Sequence, residues 1–275
     1  MPTILGMELR TLALQALQLP DPPAKCQAVH ALWAGQTAWT LGPVQQTHHA
    51  LPLPGRPGLP RLIAPGQVPT RSPYTPEGRA ALVHAICHIE FNAINLALDA
   101  VWRFDGMPED FYRDWMQVAH EEAQHFDMLH RQLQAMGHRY GDFEAHDGLW
   151  EMCEKTADDI TARMALVPRT LEARGLDATP LIQARLRKVG TPDALAICES
   201  LDVILREEIG HVAIGNHWYR WLCDRQGLSP VAHYKLLVQR HRAPRLRPPF
   251  NTPARQAAGF SPEEIAYLAG DGLSR

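Results

Sequence analysis

Apolar residues recur every three or four positions in four long stretches between Thr75 and Gly227, with Gly, Pro and Asp clusters between them. In the first stretch Leu82, Ile86, Ile89, Ala93 and Leu96 fall on one helical face. Thr75-Pro76-Glu77 supplies an N-cap, a proline at the first helical position and an early acid, and Asp105-Gly106 supplies the stop. Pro108-Glu109-Asp110 opens the second, in which Phe111, Trp115, Val118, Ala119, Phe126, Leu129 and Leu133 keep helical spacing up to Gly137. Each of these two helices is about 28 residues, or roughly 40 Å at about 1.5 Å per residue. The third begins near Leu149 and carries Met152, Ile160, Met164 and Leu171, with interruptions expected at Pro168 and over residues 175–180. Thr191-Pro192-Asp193 repeats the cap signature and starts the fourth, which carries Leu195, Ile197, Leu201, Ile204, Leu205, Val212 and Trp218 to Gly227. Two helical hairpins in series predict an all-α protein, a four-helix bundle with a long crossover between its second and third helices.

Prolines crowd the chain between Pro20 and Pro76, as in Pro52-Leu-Pro-Gly-Arg-Pro-Gly-Leu-Pro60, and that composition predicts an extended strap rather than long helices. Arg242-Ala-Pro-Arg-Leu-Arg-Pro-Pro-Phe250 predicts a second strap. The expected division is an N-terminal extension and strap (residues 1–74) packed on the bundle, the bundle itself (75–227), and a C-terminal strap with a short helix (228–275), all in one structural domain. The straps either cover apolar helix faces and build a homodimer interface, or line a cavity mouth with Arg255 and Phe260.

With 45% hydrophobic and 21% charged residues the chain is an ordinary globular one, which excludes disorder as its main state. Its 27 basic and 30 acidic residues leave a net charge of −3, so no global field draws it to nucleic acid or an anionic membrane. No run reaches the roughly 18 unbroken apolar residues of a membrane span, and residues 1–20 contain a single basic residue, Arg10, and no secretory cleavage pattern. The five cysteines are far apart and form no C-x-x-C pair. They are expected as reduced thiols in a cytoplasmic protein.

Candidate chemistry sits on the second and fourth helices, as Glu122-Ala-Gln-His125 and Glu208-Ile-Gly-His211. The i, i+3 spacing puts a carboxylate and an imidazole on one face about a turn apart, within reach of one metal. One such pair is weak evidence. Two, each on the second helix of its hairpin and flanked by apolar residues, are strong, because an isolated buried glutamate is costly. In an antiparallel hairpin, residues at one level are equidistant from the turn. Glu90 and Glu122 have Gly106 at their midpoint, and Glu172 and Glu208 have Gly190, so the ligand set becomes Glu90, Glu122, His125, Glu172, Glu208 and His211. Glu172 belongs to it if the third helix continues to about Val189. A reversal at Pro180 would bring in Glu151, Glu154, Asp158 and Asp159 instead. Four carboxylates neutralise two divalent ions, which makes burial tolerable, and the imidazole and carboxylate donors suit iron or manganese.

At these residues the chain resembles the ferritin-like di-iron carboxylate superfamily, whose pattern is Glu, Glu-x-x-His, Glu, Glu-x-x-His over four helices. His88-Ile-Glu90, Glu121-Glu-Ala-Gln-His125, Leu171-Glu-Ala-Arg-Gly-Leu-Asp177, Arg206-Glu-Glu-Ile-Gly-His211, Pro54-Gly-Arg-Pro57 and the run from Pro249 to Phe260 are similar to the bacterial family catalogued as DUF455. A more distant likeness, confined to the bundle, is to the tRNA-modifying MiaE-type hydroxylases. The resemblance implies two iron ions (manganese in their place is the variant), dioxygen activation, and oxidation of a small-molecule or tRNA substrate with electrons from a separate donor. It further implies bridging roles for Glu122 and Glu172 and terminal ones for Glu90, Glu208 and the two histidines. The competing uses of the fold are ferroxidase or peroxide-removing chemistry and a non-catalytic metal scaffold. Ferroxidase sites usually lack the second histidine, and the peroxidase type adds a Cys-x-x-Cys module absent here.

Other polar residues carry plainer expectations. His84, His88, His120 and His130 read as satisfied surface or core histidines, and Glu121 and Glu207, rotated by about 100° from the ligand glutamates, as facing a neighbouring helix or solvent. Asp127 and Asp202 are candidates to orient the ligand histidines. Trp218, Tyr219 and Trp221 read as core. The basic group Lys235, Arg240, Arg242, Arg245 and Arg247 reads as a tail on an acidic surface before it reads as a phosphate site.

Overall fold

A computed structural model describes residues 8–42 and 52–270. The described residues are helical and form no strand, only two isolated parallel bridges, Glu8 with Thr40 and Leu62 with Ala145. The chain divides into two compact units, Met1–Gly148 and Leu149–Arg275.

The first unit is built around α3 (Pro76–Arg103) and α4 (Glu109–Ala135), which form the expected hairpin. Thr75 Oγ1 accepts from Gly78 N at 3.1 Å, and Gly106 takes the left-handed φ of 69° that the tight reversal requires. Two further helices, α1 (Leu9–Gln18) and α2 (Pro22–Ala34), pack on α3 and α4 respectively. This corrects the expectation of an extended strap from Pro20 onward. Pro22 and Pro23 occupy the first turn, where a missing N–H costs nothing, and the Asp21 side chain caps Ala24 N at 3.0 Å, so the prolines start a helix instead of breaking one. Among the described residues the stretches 35–42 and 52–74 contain no α-helix, only the 3-10 turns Gln36–Ala38 and Pro65–Gln67. Under this cover every residue of α3 from Glu90 to Val101 is buried. α3 is long and apolar enough to cross a membrane by length and composition, but 78% of its apolar window is buried inside the protein, as in a core helix.

Lys25 binds this unit together. Its ammonium is fully buried and donates to Leu17 O and Gly55 O, each at 3.0 Å, and to the side-chain oxygen of Asn95 on α3. Burial, helped by the charge of Arg56, lowers its pKa to about 7.

In the second unit the third helix is divided differently from expectation. α5 (Gly148–Lys155) ends at a turn, and Asp159 caps α6 (Ile160–Leu166) by accepting from Ala162 N at 2.9 Å. The helix then widens into a π segment, Val167–Glu172, and continues as α7 (Ala173–Val189) straight through Gly175 and Pro180. Pro180 has no N–H for the carbonyl of Leu176, and the Asn251 side chain donates to that oxygen at 3.0 Å instead. Gly190, with φ 71°, closes α7, and α8 (Pro192–Gln226) returns. α9 (Pro230–Arg240), α10 (Thr252–Ala257) and α11 (Pro262–Ala269) complete the unit.

The C-terminal segment is a packing element. Arg255, fully buried, donates to both carboxylate oxygens of Asp177 at 2.6 and 3.1 Å and lies between the rings of Phe250 and Phe260. Phe260 joins Ala173, Leu176, Val212, Ala254 and Ala258 in one apolar cluster. Arg255 and Phe260 are buried, and Phe260 also lines a small cavity with Arg169, Tyr234 and Tyr267.

Candidate metal centre

Helical register and turn geometry place the candidate ligands. Within the first unit Glu90 comes from α3, and Glu122 and His125 from adjacent turns of α4; all three are buried. One ligand atom from each lies within 4.8 Å of the others. His125 Nδ1 is 3.4 Å from Glu90 Oε2 and 3.4 Å from Glu122 Oε2. Glu90 Oε2, buried, makes no hydrogen bond in this arrangement.

Electrostatics reflects the crowding of two carboxylates away from water. Burial first, and then the negative charge of Glu122, push the Glu90 pKa up to about 8. For His125 burial pulls the other way, but the carboxylates of Glu122 and Glu90 outweigh it and raise the imidazole to about 11. Protons therefore occupy the place that a divalent cation would take, and a cation entering the triad displaces them.

The second unit repeats half of this pattern. Glu208 and His211 lie on adjacent turns of α8 with His211 Nδ1 3.5 Å from Glu208 Oε1, and both are buried. Glu172 is buried at the junction of the π segment and α7 and is equidistant in sequence from Gly190 with Glu208. π turns of this kind are frequent at functional sites. Gly215, one turn after His211, admits the π segment: a Cβ there would sit 2.6 Å from Pro168 Cβ. The fallback carboxylates Glu151, Glu154, Asp158 and Asp159 precede α6 and are not on the hairpin helix.

Of the core histidines expected to be satisfied, His88 is, whereas buried His84 leaves its Nδ1 without a hydrogen-bond partner. His84 Nε2 accepts from Gly141 N at 2.9 Å. His88 donates from Nε2 to His146 O at 3.1 Å and accepts at Nδ1 from the Tyr140 hydroxyl at 2.8 Å. Burial lowers both imidazoles to about 4, so they stay neutral. The expected orienting acids go elsewhere. Asp127 pairs with His30 Nε2 at 3.2 Å, and Asp202 accepts from Gln183 at 2.6 Å. Asp127 lies two residues after His125, a rotation of about 200° on the helix, so it faces α2 and not the triad. Lys25, Tyr140 and His30 were not singled out from the sequence, and no local spacing marks them, because each acts across a long sequence separation. The five cysteines are free and buried.

A family model described as "Protein of unknown function (DUF455)" matches residues 18–266. A protein of Haemophilus influenzae, described as "Uncharacterized protein", is 44% identical over 264 residues, which span 92% of this chain and 91% of that relative. No solved structure matches. By the extent of both matches, the chain belongs to the DUF455 family.

Proposed function

We propose that this protein is a di-metal carboxylate oxidoreductase of the ferritin-like kind, whose two half-sites, Glu90, Glu122 and His125 in one unit and Glu172, Glu208 and His211 in the other, close on a pair of iron or manganese ions. The observation that carries this reading is the buried triad: three metal-ligating side chains gathered within 4.8 Å, all withdrawn from water. The repeat of the Glu-x-x-His register on α8, together with a buried Glu172 on the preceding helix, supports two ions over one. Four carboxylates against two divalent cations sum to zero charge, which is what a buried centre needs. When bound, such a pair supplies dioxygen activation: with two electrons and two protons from an external reductant, one oxygen atom enters a C–H bond and the other leaves as water. The chain's own part is to hold the ions with Glu and His donors and to screen them from solvent under α1 and α2.

The test is dioxygen uptake by the metal-loaded protein after anaerobic reduction, followed optically and by Mössbauer spectroscopy. The expected result is oxidation of about two irons per chain with a transient species in the optical record. Two bound metals that do not react with dioxygen would refute the oxidoreductase reading and leave a metal scaffold.

A further inference from the structure

Outside the carboxylate centre, α2 and α4 bring a second set of metal-binding side chains together at the surface of the first unit. His30 Nδ1 and His120 Nδ1 lie 3.0 Å apart, their rings nearly perpendicular at 84°. Both histidines are half-buried, and the His30 side chain keeps 31% of its exposure.

We propose that His30 and His120 form a second metal site, which binds a late divalent transition-metal ion of the Cu(II) or Ni(II) class through their two Nδ1 atoms. The distance fits a shared ion. With metal–imidazole bonds of about 2.0–2.1 Å, two nitrogens 3.0 Å apart subtend an angle of about 94° at a shared ion. That is the cis angle of a square-planar or tetragonal centre and is narrower than the tetrahedral angle zinc prefers. Without a metal, the same contact is a hydrogen bond in which one Nδ1–H donates to the other Nδ1. A divalent ion displaces that single proton.

The far side of the His30 ring is already held as a metal-bound imidazole requires. His30 Nε2 meets the carboxylate of Asp127 at 3.2 Å, the pairing that fixes tautomer and strengthens the ligand. His120 Nε2 lies 3.2 Å from the amide nitrogen of Gln124; metal binding at Nδ1 moves the His120 proton to Nε2 and requires that amide to turn its oxygen toward the ring. Trp33 stacks on the His120 ring, with centroids 5.5 Å apart and planes at 17°, and restricts its rotation. His120, Gln124 and Asp127 follow one face of α4 at i, i+4 and i+7, so the pocket is written into one helix and completed by α2. Solvent supplies the remaining ligands.

The test uses the purified full-length chain. Cu(II) is titrated into the wild type and into His30→Gln, His120→Gln and Asp127→Asn, each checked for folding by circular dichroism, with affinity measured calorimetrically and nitrogen ligation by electron paramagnetic resonance. The expected result is one Cu(II) with two coordinated imidazole nitrogens, bound at least about tenfold more weakly after either histidine substitution and about tenfold more weakly in Asp127→Asn. Unchanged Cu(II) affinity and nitrogen pattern in both folded histidine variants would overturn the proposal, as would retention of Zn(II) without Ni(II). Glu122→Ala with Glu208→Ala separates this site from the carboxylate centre, because the proposal requires that double variant to keep the copper whatever becomes of the other metals.

Discussion

Replacing Lys25 with methionine removes a buried charge while keeping the length of the side chain, and the structure sets both the size and the pH dependence of the effect. Three acceptors lose a donor. Leu17 O still receives Gly55 N–H at 2.9 Å, so the losses that count are at Gly55 O and Asn95 Oδ1. At about 1–3 kcal/mol for each stranded acceptor, Lys25→Met costs about 2–6 kcal/mol where the wild-type amine is neutral in the fold. Below pH 7 both folded and unfolded chains carry the ammonium, and the folded chain bears the cost of burying it. Between pH 7 and the ordinary lysine value of 10.5 the unfolded chain still holds a proton that the folded chain has shed, so wild-type stability rises with pH. The rise from pH 6 to pH 9 amounts to about 2–3 kcal/mol, at about 1.36 kcal/mol per unit. Thiol ionisation acts on both proteins, and the difference between them isolates Lys25. Urea unfolding at pH 6, 7.5 and 9 is therefore expected to show the gap between wild type and Lys25→Met widening by about 2–3 kcal/mol. A gap that stays constant or narrows would show that the three acceptors hold the amine as a full ammonium throughout.

Other substitutions test the packing of the second unit. Gly215→Ala gains about 1 kcal/mol of helix propensity but drives a Cβ to within 2.6 and 2.7 Å of Pro168, and the overpacking, at about 1–3 kcal/mol, makes the variant net less stable. Gly210→Ala, on the same helix with open space at its Cβ, is expected to raise the urea midpoint; the opposite order for the two would contradict the close approach of the π segment to α8. Arg255→Met leaves the Asp177 carboxylate without its bidentate partner and is expected to cost about 3–5 kcal/mol, most of it recovered when Asp177→Asn is added. A loss below about 1 kcal/mol in the single variant would mean that the C-terminal segment is not held there.

Helix ends were legible wherever capping chemistry is local. Thr75-Pro76 starts α3 with a cap bond accepted by the Thr75 hydroxyl, Pro192 starts α8 at the expected place without one at Thr191, and Gly106 and Gly190 make the two turns on which the midpoint argument depended. The apolar stripe of α4 was read correctly, because that helix is buried on one face only. On α3 the stripe was misplaced: Ile89 is 45% exposed while Val83 and Cys87 are fully buried. A helix apolar on nearly every side gives its apolar residues no unique phase, so periodicity could not orient it. The helix over Pro22–Ala34 was hidden by its own start signal, two prolines that count against a helix in a composition argument and favour one at its first turn. Pro180 misled in the opposite direction, since the donor that replaces its missing N–H, Asn251, comes from a segment far along the chain. The triad was readable because i, i+3 spacing and hairpin symmetry are both local rules. Lys25 with Asn95 and His30 with His120 obey no local rule and needed the fold.

The central claim is that the two Glu-x-x-His half-sites hold one pair of metal ions, and metal content per chain tests it most directly. Protein produced in iron-replete medium is assayed by elemental analysis as wild type, as Glu122→Ala, as Glu208→Ala and as the double variant, with folding confirmed for each. The account predicts about two ions per wild-type chain and well under two in the folded double variant, with each single variant also depleted. Wild-type protein without metal, or a folded double variant with undiminished metal content, would contradict it.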